Sequence, residues 1–273
     1  MTKFLKRIVK GMARLVRCAP AQIPVYVPVL QSELLKGRTA LVTGGSCGIG
    51  YAIAEAFLCA GAKVVISGRN EEKLKEAASK LSAKGEVSFV QMDNTKSGSF
   101  GVTISNMPAF DILVNNAGYV GGGSFGDTQE SEYDKVMNTN LKGSYFLSEA
   151  VSNLWIQNGT QGNILNICSA SSLRPGQSPY ILSKWGLRAL TIGMAKSLVK
   201  HGIVVNGLAP GCTNTEKFSP NGDIANALNP SGRMVTVEEI ANMAVILVSS
   251  LSRMIVGDVI YMTGGGAVTT LDD

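Results

Sequence analysis

From residue 38 onward, short runs of consecutive apolar residues alternate with longer stretches of helical period. The runs are "TALVTG" (39–44), "KVVISG" (63–68), "VSFVQMD" (87–93), "DILVNN" (111–116), "GNILNIC" (162–168), "GIVVNGLAP" (202–210) and "DVIYMTGG" (258–265). A strand with one wet face alternates apolar and polar residues. These runs mostly do not, so both of their faces are expected to be buried, as in a parallel sheet covered by helices on either side. The intervening helices are marked by their own signals. "GYAIAEAFLCAG" is stopped by Gly61, Asn70 caps "EEKLKEAASKL", and "TVEE" at 236–239 is a capping box for a helix to about residue 249. Two further helices are predicted over 130–157 and 179–200, with Ser178 as N-cap and Pro179 in the first turn. The predicted fold class is α/β, a single doubly wound sheet of seven parallel strands with helices on both faces. A chain of 273 residues is long enough to bury the core this requires.

Ahead of this pattern lies a segment of different character. Residues 1–36 carry seven Lys and Arg and one acid, Glu33, so they account for +6 of charge and leave the remainder at −1 in a chain of net +5. Phe4, Leu5, Ile8, Val9, Met12, Leu15 and Val16 recur at helical spacing among the basic residues, which predicts a basic amphipathic helix over about 2–17. "APAQIPVYVPVL" then carries three prolines and is expected to be extended. The expected division is an arm over 1–36 and a domain over 37–273. Three readings of the arm stay open: packing on its own domain or a neighbouring subunit, contact with an anionic membrane surface, or an organellar presequence. No run approaches the roughly 18 apolar residues that cross a bilayer.

Five scattered cysteines (Cys18, Cys47, Cys59, Cys168 and Cys212) form no CxxC pair, and the chain has a single histidine, His201. No metal site is expected from that set, and the unpaired count suits a reducing, cytoplasmic compartment. His201 precedes a glycine at a predicted helix end, which reads as a helix terminus rather than a catalyst.

The glycine-rich turn "TGGSCGIG" (Thr43 to Gly50) joins the first strand to the first helix. Glycines there let backbone N–H groups approach a pyrophosphate, whose charge the helix N-terminus favours. Dinucleotide binding follows from that placement. The residue after the second strand selects the cofactor: an acid would bond the ribose hydroxyls of NAD, whereas an arginine accommodates the phosphate of NADP. This chain has Arg69 there and no acid, so NADP(H) is expected, with NAD(H) as the alternative. In "SPYILSKWG" (178–186), Tyr180 and Lys184 stand four apart and share one helix face. A phenol beside an ammonium ion gives up its proton more readily, because the positive charge favours phenolate.

Taken in order, "TGGSCGIG", "NNAG" (115–118), "NTN" (138–140), "NICS" (166–169), "YILSK" (180–184) and "PGCTNT" (210–215) resemble the motifs of the short-chain dehydrogenase/reductase family, over about residues 37–273. The resemblance implies a Rossmann-like fold and a catalytic group of Asn140, Ser169, Tyr180 and Lys184. Tyr180 would exchange a proton with the substrate oxygen while hydride moves to or from the nicotinamide. Lys184 would assist Tyr180 and hold the nicotinamide ribose, Ser169 would bond the substrate oxygen, and Asn140 would hold a water linked to Lys184. Thr43, Gly44, Ser46, Cys47, Gly48, Ile49 and Gly50 would cradle the cofactor phosphates. Asp93 and Asn94 resemble the adenine-binding pair. Asn116, Ala117 and Gly118 would run beside the adenosine ribose toward the nicotinamide, and Pro210, Gly211, Thr213 and Thr215 would meet its far end.

The chain departs from the family pattern in three places. Cys47 stands where NADP-using relatives often carry a basic residue, and it reads either as small-residue filler or as a thiol open to alkylation. The interval from Ser169 to Tyr180 is short, so Ser171 and Ser172 compete for the serine role. The interval from Asp93 to "NNAG" is also short, which predicts a reduced helix there. The resulting expectation is an NADP(H)-dependent oxidoreductase acting on a carbonyl or secondary alcohol, with 3-oxoacyl thioesters ranked before small ketones, sugars or steroid-type alcohols. Relatives imply a homodimer or homotetramer and a small-molecule substrate, with no nucleic acid. The rival of another class is a non-catalytic NADP(H)-sensing protein. The loop over about 214–235 is expected to cover the substrate.

Overall fold

The computed structural model describes residues 31–215, 221, 223–226 and 229–266. The expected amphipathic helix over 2–17 and the proline-rich stretch after it lie outside the described residues, as does part of the 214–235 loop. In chain order the elements are β1 (Thr39–Thr43), α1 (Gly48–Cys59), β2 (Lys63–Gly68), α2 (Glu71–Leu81), β3 (Val87–Gln91), α3 (Phe100–Ser105) and β4 (Ile112–Asn115). Then come α4 (Glu130–Met137), α5 (Gly143–Asn158), β5 (Asn163–Ile167), α6 (Pro179–Leu198), β6 (Val204–Pro210), α7 (Val237–Val248) and β7 (Val259–Met262). The seven strands form one sheet in the order β3-β2-β1-β4-β5-β6-β7, and every pairing is parallel.

Successive strand residues feed opposite cores, as the unbroken apolar runs require. Ala40, Val42, Val64, Ile66, Ile112, Val114 and Leu165 pack under α1, α2 and α7 through Ile53, Phe57, Leu74 and Val245. Leu41, Val65, Leu113 and Ile164 face the other way, onto Phe100 of α3, Leu147, Val151 and Trp155 of α5 and Ala195 of α6. The cap signals act as read. The Asn70 side chain accepts from the Lys73 N–H and the Ser178 side chain from the Ile181 N–H. Thr236 and Glu239 close the capping box at the start of α7.

Three features differ from the sequence reading or refine it. Residues 31–36, assigned from sequence to the arm, belong to the folded unit, because Leu35 is fully buried in the core beneath α1 and its N–H bonds the Ala60 carbonyl. The helix expected over 130–157 is interrupted by a π-helical turn, Asn138–Lys142, between α4 and α5. The helix expected to run to residue 200 ends at Leu198 and gives way to a 3₁₀ turn, Val199–His201, closed by Gly202 at φ 74°. As anticipated, the helix before β4 is short, with six residues in α3.

Strand order reverses between β1 and β4. Chains leaving the carboxyl ends of those two strands diverge to opposite faces, which opens a crevice there.

Candidate active site

The crevice is a cleft of about 970 Å³ whose lining includes both Arg69 and Arg174. Its floor is built where β1 meets β4. The buried Thr43 hydroxyl donates to the Val114 carbonyl at 3.1 Å and accepts from the Asn116 and Ala117 N–H groups at 2.9 and 3.0 Å. The Asn116 amide returns two bonds, to the carbonyls of Thr43 and Gly44 at 2.9 and 3.1 Å. These bonds lock the glycine turn to "NNAG". Gly50 lets α1 come close, since a Cβ there would lie 2.3 Å from the Gly44 carbonyl oxygen and 2.4 Å from the Asn116 amide nitrogen. The N-cap of α1 is Cys47, whose side chain makes no capping bond. The first N–H groups of that helix are therefore left for an anion.

With Arg69, Lys73 from the first turn of α2 joins the lining. Burial works to raise the Asp93 carboxyl, but the Thr95 N–H and hydroxyl, with Arg69 and Lys96 nearby, hold it below the ordinary range. Beside it, Asn94 lines the cleft, and its buried amide nitrogen has no hydrogen-bond partner among the described residues. A glycine cradle at a helix N-terminus, two cations and an unsatisfied buried donor together suit the phosphates and adenine of a dinucleotide.

The same cleft gathers Ser169, Tyr180 and Lys184. Tyr180 occupies the first turn of α6, where Ser178 and Pro179 start the helix. One turn on, Lys184 is 6% exposed, its ammonium donates to the Ile167 carbonyl at 2.8 Å and it lies 5.8 Å from the Tyr180 ring centre. Ser169, at the end of β5, accepts the Ser171 N–H at 3.1 Å. Of the two competing serines, Ser171 lines the cleft, whereas Ser172 turns away and donates to the Ser169 carbonyl at 2.7 Å. Asn140 sits behind this group in the π turn. Its side chain accepts the Tyr119 N–H at 2.7 Å and donates to the Tyr119 carbonyl and the Ser183 hydroxyl, both at 3.0 Å. Those fixed partners explain the interruption: a regular helix would rotate Asn140 off them.

Most of the sequence-derived set therefore lines one cavity, including Gly44, Ser46, Cys47, Ile49, Asp93, Asn116 to Gly118, Pro210, Gly211, Thr213 and Thr215. Thr43, Gly48, Gly50 and Asn140 are not lining residues. Lining residues that the sequence reading missed include Lys73, Tyr119, Val120 and Arg174. Lys73 was detectable, standing four positions after Arg69 on a capped helix. Cys168 also lines the cleft, and burial pushes its thiol up against the opposing pull of Lys184, Thr191 and Arg188. Among the described residues no cluster of His, Cys, Asp and Glu could hold a metal ion, and no helix is long and apolar enough to cross a membrane.

A parallel sheet in this order, with a glycine turn and a Tyr–Lys pair in its crevice, defines a nucleotide-dependent oxidoreductase class. The short chain dehydrogenase family model matches residues 38–223, and the chain belongs to that family. It is 37% identical over 248 residues to gluconate 5-dehydrogenase of Gluconobacter oxydans, covering 86% of this chain and 96% of that protein. It is equally 37% identical over 248 residues to a 3-oxoacyl-[acyl-carrier-protein] reductase of Chlamydia trachomatis, covering 86% of this chain and all of that one. Among solved structures, a gluconate 5-dehydrogenase from Burkholderia cenocepacia in complex with NADP and tartrate superposes with a TM-score of 0.80 at 32% identity, covering 88% of this chain and 99% of that one.

Proposed function

We propose that this chain is an NADP(H)-dependent reductase or dehydrogenase interconverting a carbonyl and a secondary alcohol, with Tyr180 as its proton donor and acceptor. The observation that carries the reading is the Tyr180–Lys184 pair opening beside Ser169 into the cleft that also holds the glycine turn. When bound, the nicotinamide supplies or accepts the hydride. Arg69 and Lys73 would hold the phosphate that distinguishes NADP, and the NADP complex of the Burkholderia relative supports that preference. Ser169 donates to the substrate oxygen as negative charge develops there, and the Tyr180 hydroxyl passes it a proton. Lys184, buried and tied to Ile167, sets its amino group beside the phenol. Asn140 holds the Tyr119 backbone and Ser183 in register and so fixes the wall behind Lys184.

The chlamydial relative supports 3-oxoacyl thioesters as substrates, and the gluconate dehydrogenases support a sugar acid. Homo-oligomerisation forms part of the proposal: α5 and α6 leave Tyr145, Phe146, Leu182, Trp185 and Ile192 between 39% and 51% exposed, an apolar surface suited to a second copy. A cytoplasmic setting is supported by the four free cysteines among the described residues. The deciding assay follows NADPH oxidation against a carbonyl panel for the wild type and Tyr180→Phe. Turnover lost in the variant with NADPH binding intact is expected. Turnover that survives the change overturns the assignment, and NADPH binding with no turnover by the wild type favours the sensor reading.

A further inference from the structure

We propose that Arg174 fixes the substrate class by binding the carboxylate of a short hydroxy or oxo acid, an inference that rests on the catalytic reading above. Cations dominate the cleft lining: Arg69, Lys73, Arg174 and Lys184 stand against a single acid, Asp93, among the described residues. Three of the four have uses already. Arg69 and Lys73 belong to the cofactor end, and Lys184 donates to Ile167 beside Tyr180. Arg174 has none, because no hydrogen bond, ion pair or ring contact engages its guanidinium among the described residues.

Its backbone, by contrast, is held firmly. The Arg174 N–H donates to the Ser171 carbonyl at 3.1 Å, and its carbonyl accepts the Trp185 indole N–H at 2.7 Å. Pro175 follows and restricts the chain further. Ring contacts distinguish the neighbouring arginine: Arg188 lies 5.4 Å from the Trp185 ring and 6.0 Å from the Tyr261 ring, so its charge is already occupied. An exposed arginine on a fixed backbone, with no counter-ion among the described residues and lining the same cleft as Ser169, Ser171 and Tyr180, can receive a planar anion. Arg174 stands on the segment joining Ser169 to Tyr180, five residues after one and six before the other. Because all three line one cleft, an anion held by Arg174 and a carbon reacting at Tyr180 can belong to one molecule.

The test is calorimetry on the NADP⁺-loaded full chain with gluconate, glucitol and glucitol 6-phosphate, for the wild type, Arg174→Gln and Arg174→Lys. Gluconate is expected to bind the wild type about tenfold to a hundredfold more tightly than glucitol, the scale of one charge-assisted contact. Arg174→Gln should erase that advantage while glucitol moves less than twofold, and Arg174→Lys should restore part of it. Equal binding of gluconate and glucitol, no binding of either, or an advantage that survives Arg174→Gln overturns the proposal. A preference for the phosphate ester lost in Arg174→Gln overturns the carboxylate assignment. Failure of the underlying reading registers separately, as absence of NADP⁺ uptake. In that case the same titrations on the cofactor-free chain still decide Arg174 by the same criteria.

Discussion

Gly50→Ala tests the joint between the glycine turn and "NNAG" at the scale of one methyl group. The added carbon would lie 2.3 Å from the Gly44 carbonyl oxygen and 2.4 Å from the Asn116 amide nitrogen, neither of which can swing clear. The oxygen is backbone, and the amide nitrogen is held by the carbonyls of Thr43 and Gly44. Forcing a methyl into filled space costs about 1–3 kcal/mol, and displacing one buried amide bond about 1 more. The sum, about 2–4 kcal/mol, corresponds to a fall in melting temperature of about 5–10 °C for a chain of this size. Because α1 must back away from the turn, NADPH affinity should fall at least tenfold. Gly48→Ala is the internal comparison. Its φ of 56° disfavours a side chain, yet the nearest atom to a new Cβ is the Thr215 methyl at 3.7 Å. That change should cost only about 1–2 kcal/mol. Thermal melts of the cofactor-free chains and NADPH fluorescence titrations supply both numbers. A Gly50→Ala protein melting within 2 °C of wild type with unaltered NADPH affinity would refute the close-packing argument, as would Gly48→Ala proving the worse of the two.

Arg69→Ala should weaken NADPH about tenfold to a hundredfold and leave NADH nearly unchanged, since one charge-assisted phosphate contact is lost; titration of both cofactors checks this, and an equal loss for each contradicts the assignment of Arg69. For acid stability, the Arg233 guanidinium, reinforced by the Thr236 N–H, holds the Glu239 carboxyl down at about 2 against an ordinary 4.5. A carboxyl depressed in the folded state stabilises fully above 4.5 and loses that contribution as pH falls toward 2. With the Glu239 side chain 38% exposed, solvent reduces the effect to about 0.5–1 kcal/mol. Glu239→Gln keeps an acceptor for Thr236, so urea midpoints for it and the wild type should differ at pH 7 and converge by pH 2.5; a constant gap would rule out the charge as its source.

The fold was legible because its signals are local and concordant. Seven apolar runs, five of them ended by glycine, asparagine or aspartate, demanded a sheet buried on both faces, and Asn70, Ser178 and Thr236 announced helix starts that the chain then makes. What the sequence concealed depends on contacts distant along the chain. Nothing in the apolar period of 130–157 marks a π turn at Asn138–Lys142, since its cause is the Tyr119 backbone 21 residues earlier and Ser183 43 residues later. Leu35 reads as the end of a basic arm, although it completes the core under α1.

The same distinction separates the two ends of the cleft. The cofactor end is made from strand ends and helix starts, positions that the parallel sheet fixes once strand order is set. Thr43, Asn116 and Arg69 could therefore be singled out as candidates from motif and order alone. The substrate end is made from connections, and there Ser171, Ser172 and Ser169 were indistinguishable by residue type. Only the 3₁₀ turn after β5 separates them, by turning the Ser172 hydroxyl back onto the Ser169 carbonyl and leaving the other two on the cleft. Arg174 was invisible for the same reason. An arginine before a proline in a loop is ordinary, and what sets it apart is a backbone clamped by Ser171 and Trp185 around a guanidinium with no described partner. The chemistry common to the family thus lies where the fold dictates position. On the Arg174 proposal, the choice of substrate would lie on the segment between Ser169 and Tyr180, which carries that charge.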